Sequence, residues 1–207
     1  MTIHTDHTID LVFATPIITA KLDREFTKKE IDVFKGCKKS SIRSYGNKVS
    51  KNNFILNLPD LNELKTDLTS AVNQYMQEVY KPKYEVEAYI TQSWINYTEP
   101  GEFHHKHEHP NSFLSGVLYF DVDEKNDSIT FYKSGYSQII IQSNQYDHLN
   151  ATSWWISVKN KSLVIFPSSL THSVETTKSK KTRISLSFNT FIKGTYGETQ
   201  NLTELKL

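Results

Sequence analysis

The stretch Ser162–Lys193 reads SLVIFPSSLTHSVETTKSKKTRISLSFNTFIK, and it contains three short runs of strand-forming residues separated by turn-forming ones. The last run, from Arg183 onward, alternates polar and apolar residues. Successive side chains of a strand point to opposite sides, so one face of this strand is polar and the other apolar. A polar face that includes arginine suits the inner wall of a ligand-holding barrel. An outer strand with its polar side in water is the alternative.

The same texture extends back to residue 85, where β-branched and aromatic runs alternate with Gly, Pro, Asn and Ser. The runs predicted as strands are Glu85–Tyr97, Phe113–Val122, Ser128–Lys133, Gln138–Gln142, Ser153–Val158, Ser162–Pro167, His172–Glu175 and Arg183–Lys193. Many short strands after a helical first part predict a mainly β fold with N-terminal helices, of the α+β class. A β-sandwich, a jelly roll or a barrel fits this pattern.

The first part of the chain is predicted to hold an extended segment, a short helix and a loop. Ile9–Leu22 is β-branched and aromatic with a proline in the middle, which is typical of an edge strand. Thr27–Lys39 is predicted as a helix, because Thr27 and Glu30 have the spacing of a capping box. Ser40–Asn53 is rich in Ser, Lys and Asn, shows no period and is predicted to be a loop.

A longer helix is predicted for Asp60–Tyr80. Its apolar residues recur at helical intervals on one face: Leu61, Leu64, Leu68, Ala71, Val72, Tyr75, Met76 and Val79. Asp60 and Glu63 repeat the capping spacing, and Lys81 followed by proline is expected to end the helix. One face must be buried against something large, so we expect this helix to buttress one sheet of the barrel.

Composition limits the classes of function. The chain has 207 residues with 24 Lys+Arg against 23 Asp+Glu, and its net charge of +1 argues against a protein that grips nucleic acid. No apolar run approaches the roughly 20 residues that span a bilayer. We find no internal repeat and no Gly/Pro linker, so a single domain over 1–207 is expected, with edge strand and helices in 1–84 and the barrel core in 85–193.

Eight histidines are present, and four of them lie between positions 104 and 109. In a regular strand His105, His107 and His109 share one face, while His104, Lys106 and Glu108 share the other. Three imidazoles on one side form a typical metal-ligand arrangement, and a histidine-rich solvated loop is the alternative. The lone His172 follows a predicted buried strand and a turn. The remaining histidines are expected to be bystanders, at a frayed terminus or on the surface: His4, His7 and His148.

These elements together resemble a known family. A His-x-His motif at His107 and His109, a distant His172, and Arg183-x-Ser185 after it are similar to the signature of the Fe(II)- and 2-oxoglutarate-dependent dioxygenases. The run HEHPNSFLSGVLYF from His107 resembles a prolyl-4-hydroxylase-like branch common in tailed phages and marine bacteria, and FATPI at 13–17 resembles the start of its members. The resemblance covers residues 13 to about 193.

The resemblance implies a double-stranded β-helix, a jelly-roll or cupin-like barrel, buttressed by one long and one short helix. It also implies the parts of the site. His107, His109 and His172 would hold Fe(II) on one octahedral face and leave positions for 2-oxoglutarate and O₂. Arg183 and Ser185 would bind the distal carboxylate of 2-oxoglutarate. Asn96 and Tyr97 resemble a pair that contacts the co-substrate in relatives that repair alkylated bases.

The second ligand departs from the family pattern, which has a carboxylate where this chain has His109. Three arrangements stay open, in this order of preference. They are a three-histidine site, a site that uses Glu108 through a local bulge, and a two-histidine site in which His109 contacts the ligands without binding the metal. A neutral triad carries one negative charge fewer, which is expected to weaken Fe(II) retention.

The resemblance implies an oxygenase that hydroxylates a prolyl-like peptide or a small molecule and releases succinate and CO₂. Two alternatives are a three-histidine cupin-type dioxygenase without 2-oxoglutarate, and a jelly-roll binding or virion-associated module with a relic metal site. No nucleic-acid or membrane partner is expected, and a homodimer stays open. The one cysteine, Cys37, and the missing signal peptide predict a cytoplasmic protein, in the host cytoplasm if it is viral.

Overall fold

The computed structural model describes residues 8–135 and 139–207, and antiparallel β-sheet dominates them. The helices are α1 (Lys28–Gly36) and α2 (Asn62–Tyr75). The strands are β1 (Ile18–Lys21), β2 (Ile42–Arg43), β3 (Lys48–Val49), β4 (Val86–Thr98), β5 (His104–His107), β6 (Leu114–Asp121), β7 (Ser128–Tyr132), β8 (Ser153–Ser157), β9 (Ser162–Pro167), β10 (His172–Val174), β11 (Arg183–Tyr196) and β12 (Leu205–Lys206).

The strands form two sheets. The larger has the order β1–β9–β6–β11–β4–β3–β2 with β12 beside β11, and the smaller has the order β5–β10–β7–β8. Side chains of both sheets meet in one apolar cluster made of Tyr119, Ile129, Phe131, Val158, Val164 and Phe166. Two facing antiparallel sheets with neighbours that are distant in sequence form a jelly roll. The predicted double-stranded β-helix is therefore confirmed.

Helix α2 covers the outer face of the larger sheet. Leu68, Val72 and Tyr75 are buried there and belong to one apolar cluster with Leu186 and Phe188 of β11. Burying these side chains removes apolar surface from water, at roughly 1.5–3 kcal/mol for each large side chain. The predicted buttress is confirmed. Strand β1 pairs with β9 at the edge of the same sheet, as expected for the N-terminal segment.

The two predicted helix caps have different outcomes. At α1 the Thr27 hydroxyl accepts from the Glu30 backbone N–H, and the Glu30 carboxylate accepts from the Thr27 N–H at 2.7 Å, which confirms the capping box. At α2 the predicted cap at Asp60 is wrong. Residues Pro59–Leu61 form a 3₁₀ turn, so the helix begins at Asn62 with Leu61 in the cap position and without a side-chain cap.

The long helical segment ends where it was predicted to end. A π-helical turn, Met76–Tyr80, follows α2, and Lys81 then adopts a left-handed conformation with φ of 46°. The Lys81 N–H donates to the Met76 carbonyl at 3.0 Å, which satisfies one of the last carbonyls of the helix.

Two other predictions need correction. Ser40–Asn53 is not only a loop, because it contains the hairpin β2–β3, whose second strand pairs with β4. Such two-residue strands are too short to leave a periodic pattern in the sequence. The predicted strand Gln138–Gln142 is wrong for residues 139–142, which contain no strand, and Gln138 lies outside the described residues. His4 and His7 also lie outside the described residues.

The alternation in β11 determines where the cavity lies. Arg183, Ser185 and Ser187 face the space between the two sheets, while Leu186 and Phe188 pack toward the helices. The polar face of this strand therefore lines the inside of the barrel, as the first interpretation of the sequence had it. No helix among the described residues is long and apolar enough to cross a membrane.

Candidate metal centre and its cavity

Three imidazoles converge at one end of the cavity between the sheets. His107 and His172 are direct cross-strand partners in β5 and β10, and His109 follows β5 by two residues. The ring centroids lie 4.4 Å apart for His107 and His172, 4.8 Å for His107 and His109, and 5.1 Å for His109 and His172. One nitrogen of each ring lies within 4.8 Å of the others, as in a metal-binding group. The predicted triad is thus brought together.

The backbone sets the tautomers of two of these rings. His107 Nδ1 lies 2.7 Å from the His105 carbonyl, and His172 Nδ1 lies 2.9 Å from the Leu170 carbonyl. A carbonyl only accepts hydrogen bonds, so both Nδ1 atoms carry the proton and both Nε2 atoms keep a free lone pair. Ring orientation by such a bond is the usual support of a metal-binding histidine.

Burial keeps the triad neutral. Burial and, to a smaller extent, the neighbouring imidazoles lower the pKa of His109 to about 3 and the pKa of His172 to about 4. The pKa of His107 is lowered by burial as well. Because a metal ion binds the unprotonated imidazole, these rings are ready to bind a cation at neutral pH without first losing protons.

Glu108 points away from the triad. Its carboxylate accepts a hydrogen bond from the Thr171 hydroxyl, and the side chain is exposed. Among the described residues no carboxylate belongs to the group formed by His107, His109 and His172. The geometry therefore favours the first of the three arrangements considered above, the three-histidine site.

The expected alternation of the histidine tract is wrong. Three residues of β10, His172 to Val174, lie opposite four residues of β5, His107 to His104, so β5 contains a bulge. The bulge turns His104 toward the cavity, which its ring lines together with His107. His105 instead contacts the Tyr45 ring, with a centroid distance of 5.3 Å.

Arg183 lies deep in the same cavity and is 4% exposed. Its Nη1 donates to Asp127 Oδ1 at 2.9 Å. Asp127 is itself buried and also accepts from the Thr177 hydroxyl at 3.2 Å. Among the described residues Asp127 is the one hydrogen-bond partner of this guanidinium, so the rest of the planar fork is available to an anion.

Two further predicted residues, Ser185 and Asn96, line the cavity beside Arg183. They are register partners in β11 and β4 and are nearly buried. Asn96 Nδ2 donates to the Ser187 hydroxyl at 2.9 Å, and Asn47 Nδ2 lies 3.5 Å from Asn96 Oδ1. This row of polar groups forms one wall between Arg183 and the histidines.

Tyr97 is not brought to the cavity, and the expectation that it contacts the co-substrate is corrected. It directly follows Asn96 in β4, so its side chain points to the opposite face of the sheet. There it is fully buried among the helix-facing residues, and its hydroxyl donates to the Phe34 carbonyl at 2.7 Å. Tyr97 therefore supports the packing of α1.

The sequence interpretation missed Tyr119 and Asp127. The Tyr119 hydroxyl is buried, lines the cavity and has no hydrogen-bond partner among the described residues. Burial raises its pKa, so it stays a phenol that can donate. The alternation of β6 could have predicted Tyr119, because Ser115 and Tyr119 lie on the same face of the strand, the one that lines the cavity. Asp127 lies in the turn before β7 and has no such signal.

The donor set fits a divalent metal together with a 2-oxo dicarboxylate. Three neutral imidazoles with free Nε2 or equivalent lone pairs suit a first-row transition metal. The Arg183 fork and the unpartnered Tyr119 hydroxyl offer donors for a carboxylate in the same cavity. A buried hydroxyl without a hydrogen-bond partner costs free energy, and an anion that accepts from it removes that cost.

A jelly-roll barrel with three imidazoles at one end of its cavity and a buried arginine inside it is typical of mononuclear metal enzymes. Residues 92–189, just under half of the chain, match the family model described as "Putative 2OG-Fe(II) oxygenase", which places this part of the chain in the Fe(II)/2-oxoglutarate-dependent oxygenase superfamily. The matched segment runs from β4 into β11 and includes every proposed ligand. The expected cofactors, Fe(II) and 2-oxoglutarate, are confirmed with it.

Solved structures of low sequence identity share the fold. HygX from Streptomyces hygroscopicus, with nickel, 2-oxoglutarate and hygromycin B bound, is 9% identical with a TM-score of 0.58, over 85% of this chain and 82% of its own. A Pseudomonas putida prolyl-4-hydroxylase is 11% identical with a TM-score of 0.52, over 84% and 92%. A 2OG-Fe(II) oxygenase family oxidoreductase from Burkholderia pseudomallei is 14% identical with a TM-score of 0.55, over 83% of both chains. No curated protein sequence matches.

Proposed function

We propose that this protein hydroxylates a C–H bond of a neutral substrate, with 2-oxoglutarate and O₂ as co-substrates and succinate and CO₂ as co-products. The reaction balances as 2-oxoglutarate, O₂ and R–H giving succinate, CO₂ and R–OH. The observation that carries the proposal is the convergence of His107, His109 and His172 on the cavity that holds the buried Arg183 guanidinium. The iron supplies the oxidative chemistry.

The chain's own residues bind the metal and orient the co-substrate. The three histidines hold the metal through neutral nitrogens. Arg183 holds the distal carboxylate of 2-oxoglutarate, and Tyr119 donates a second hydrogen bond to it. Ser185 and Asn96 form the wall along which the co-substrate lies, and the apolar cluster that includes Phe166 excludes water from the side facing β9.

The substrate enters through a groove over the histidines. Its lining has no charged side chain at neutral pH and consists of Ser44, Val49, Asn53, Gln92, Trp94, His104, His107 and His109. The Trp94 ring lies 5.9 Å from the His109 ring. An uncharged groove with amides and an indole favours a neutral group at the reacting carbon. A prolyl-like peptide fits, as the resemblance implies, and so does a neutral small molecule.

The test is succinate formation by the Fe(II)-loaded protein. Arg183→Gln removes the charge-assisted bonds to the carboxylate, worth about 1.5–3 kcal/mol each. We expect the KM for 2-oxoglutarate to rise about tenfold to a hundredfold. Arg43→Gln, at a mostly exposed arginine, is the matched control and leaves that KM unchanged. An unchanged KM in Arg183→Gln would contradict the assignment.

One observation favours a second candidate function. The metal group has only nitrogen donors, and Glu108 is turned away. Cupin-type dioxygenases with three histidines use such a set without 2-oxoglutarate. Substrate-dependent O₂ consumption in the absence of 2-oxoglutarate, with no succinate formed, would establish this alternative. A visible absorption band that needs both Fe(II) and 2-oxoglutarate under anaerobic conditions would rule it out.

A further inference from the structure

A second group of three imidazoles lies beside the triad and shares one ring with it. His104, His105 and His107 each place one nitrogen within 4.8 Å of the other two. The ring centroids lie 4.6 Å apart for His104 and His107, 4.7 Å for His105 and His107, and 5.3 Å for His104 and His105. These distances match those of the triad, so His107 stands at the centre of two similar groups.

The bulge in β5 creates this second group. Neighbouring residues of a regular strand point to opposite faces, so His104 and His105 would normally diverge. Here their rings are stacked with an interplanar angle of 12°. The extra residue between His104 and His107 gathers the three rings on one side, whereas a regular strand would have left His104 on the face opposite His105 and His107.

Two polar atoms in and beside the group lack partners. His105 Nδ1 is buried and has no hydrogen-bond partner among the described residues. Asn47 Oδ1 is also buried without a partner, while Asn47 Nδ2 lies 3.3 Å from His104 Nδ1. Turning the Asn47 amide would bring Oδ1 to that Nδ1, at the loss of the 3.5 Å contact from Asn47 Nδ2 to Asn96 Oδ1; His104 Nδ1 would then carry the proton and leave Nε2 free. A cation would satisfy the unpaired nitrogen of His105.

We propose that His104, His105 and His107 form a second position for a late first-row transition ion, with Zn²⁺ as the ion that fits best. All three donors are imidazole nitrogens, which suit zinc, and no carboxylate joins the group among the described residues. Sites with nitrogen donors also bind Zn²⁺ more tightly than Fe²⁺.

The two positions exclude each other. His107 Nδ1 donates to the His105 carbonyl, so only Nε2 of His107 can bind a metal. An ion in the second position therefore takes His107 from the triad. This consequence rests on the proposed function: excess Zn²⁺ would inhibit turnover by taking His107 from the iron site as well as by replacing the iron.

The experiment measures Zn²⁺ affinity of the full chain by competition with a chromophoric chelator. His109→Ala/His172→Ala leaves the second group intact, and we expect this variant to keep binding Zn²⁺. Adding His105→Ala should weaken binding by more than about tenfold, a typical cost of losing support for a metal site. Adding His148→Ala, at an exposed histidine, is the matched control and should change nothing.

The proposal is overturned if His105→Ala changes the affinity less than about threefold in that background, or if His109→Ala/His172→Ala no longer binds Zn²⁺ while circular dichroism shows it folded. Because His172 is buried, the comparison is repeated with His172→Gln, which keeps a polar side chain, and with His104→Ala in place of His105→Ala. The readout needs neither iron nor 2-oxoglutarate. A protein without oxygenase activity could therefore still show the second Zn²⁺ position, and a protein without this position could still be an oxygenase.

Discussion

The Arg183 guanidinium donates to the carboxylate of Asp127, which lies 56 residues earlier in the chain, and both side chains are almost fully buried. Taking two charges out of water costs free energy. The pair is stable because the attraction and the hydrogen bond between the two groups replace the hydration that each of them has lost. Asp127 also accepts from Thr177, so the guanidinium is anchored on one side and open on the other. A positioned guanidinium binds a carboxylate with less loss of conformational freedom than a mobile one.

Asp127→Ala is expected to destabilise the protein by about 3–5 kcal/mol, because it leaves a buried guanidinium without its partner. Asp127→Asn keeps an acceptor oxygen and should cost less. Urea unfolding at neutral pH gives both values. Asp32→Ala, at an exposed aspartate of α1, is the control and should have almost no effect. A wild-type midpoint for Asp127→Ala would show that the ion pair does not form in solution.

Tyr119→Phe separates stability from binding. Removing a buried hydroxyl that has no partner among the described residues costs the folded protein little free energy, and it can even stabilise the fold. The same change would remove the proposed hydrogen bond to 2-oxoglutarate, worth about 0.5–1.5 kcal/mol, so the KM should rise roughly twofold to tenfold. Unfolding curves and succinate kinetics are the two measurements. A stability loss without a change in KM would mean that Tyr119 has a structural partner instead.

At the scale of elements, α1 depends on the carboxylate of Glu30, which is 1% exposed. It accepts from the Thr27 N–H and receives both terminal nitrogens of Arg24, at 2.9 and 2.7 Å. Burial alone would raise the pKa of Glu30, but these hydrogen bonds outweigh it and hold the pKa below its usual value. The sequence pattern predicted the cap, whereas the Arg24 contact appears only in the folded chain.

Glu30→Gln should therefore destabilise the protein by about 1–3 kcal/mol at pH 7, since it loses the charge in these bonds. A carboxyl group with a lowered pKa stabilises the fold fully above its unfolded value of about 4.3. This contribution is lost as the pH falls toward the lower folded value. The difference between wild type and Glu30→Gln should thus shrink below pH 4, which urea unfolding across pH measures. A difference independent of pH would contradict this account.

In strand β5, the one extra residue of the bulge changes which histidines face the cavity. A regular strand would have placed His104 and Lys106 on one face and His105 and His107 on the other. The bulge against β10 brings His104 to the cavity and leaves Lys106 over the Tyr132 ring, at 4.1 Å from its centroid. Histidine spacing alone could not reveal this, because the register depends on a strand more than sixty residues away.

At the scale of the whole molecule, the histidine triad joins two strands of the smaller sheet that are far apart in sequence. A metal bound there adds a cross-link to the folded state that the unfolded chain lacks. Fe(II) under anaerobic conditions, at one hundred times its dissociation constant, should raise the free energy of unfolding by about 2.7 kcal/mol. His172→Ala should abolish most of this gain in chelator-controlled thermal unfolding. Equal stabilisation of wild type and variant would exclude the triad as the site.

The sequence was enough for the fold class and for most of the residues that meet at the candidate site. Amphipathic periodicity predicted α2, alternation predicted both faces of β11, and the spacing of His107, His109, His172 and Arg183 indicated the family. These are local patterns, and they survive folding because each element buries the face that its own side chains define. The hairpin β2–β3 and the 3₁₀ turn before α2 were not predictable, since they are too short to leave a period.

By itself the sequence determined the candidate side chains for the site: a tract of histidines, a distant histidine and an arginine on a polar strand face. Only the tertiary structure decided which of them meet. It sent Tyr97 to the helix side, paired Arg183 with Asp127, exposed Glu108 and grouped the histidines around His107. The physical reason is that strand register and bulges depend on hydrogen bonds between segments far apart in the chain, where a shift of one residue turns every following side chain to the other face.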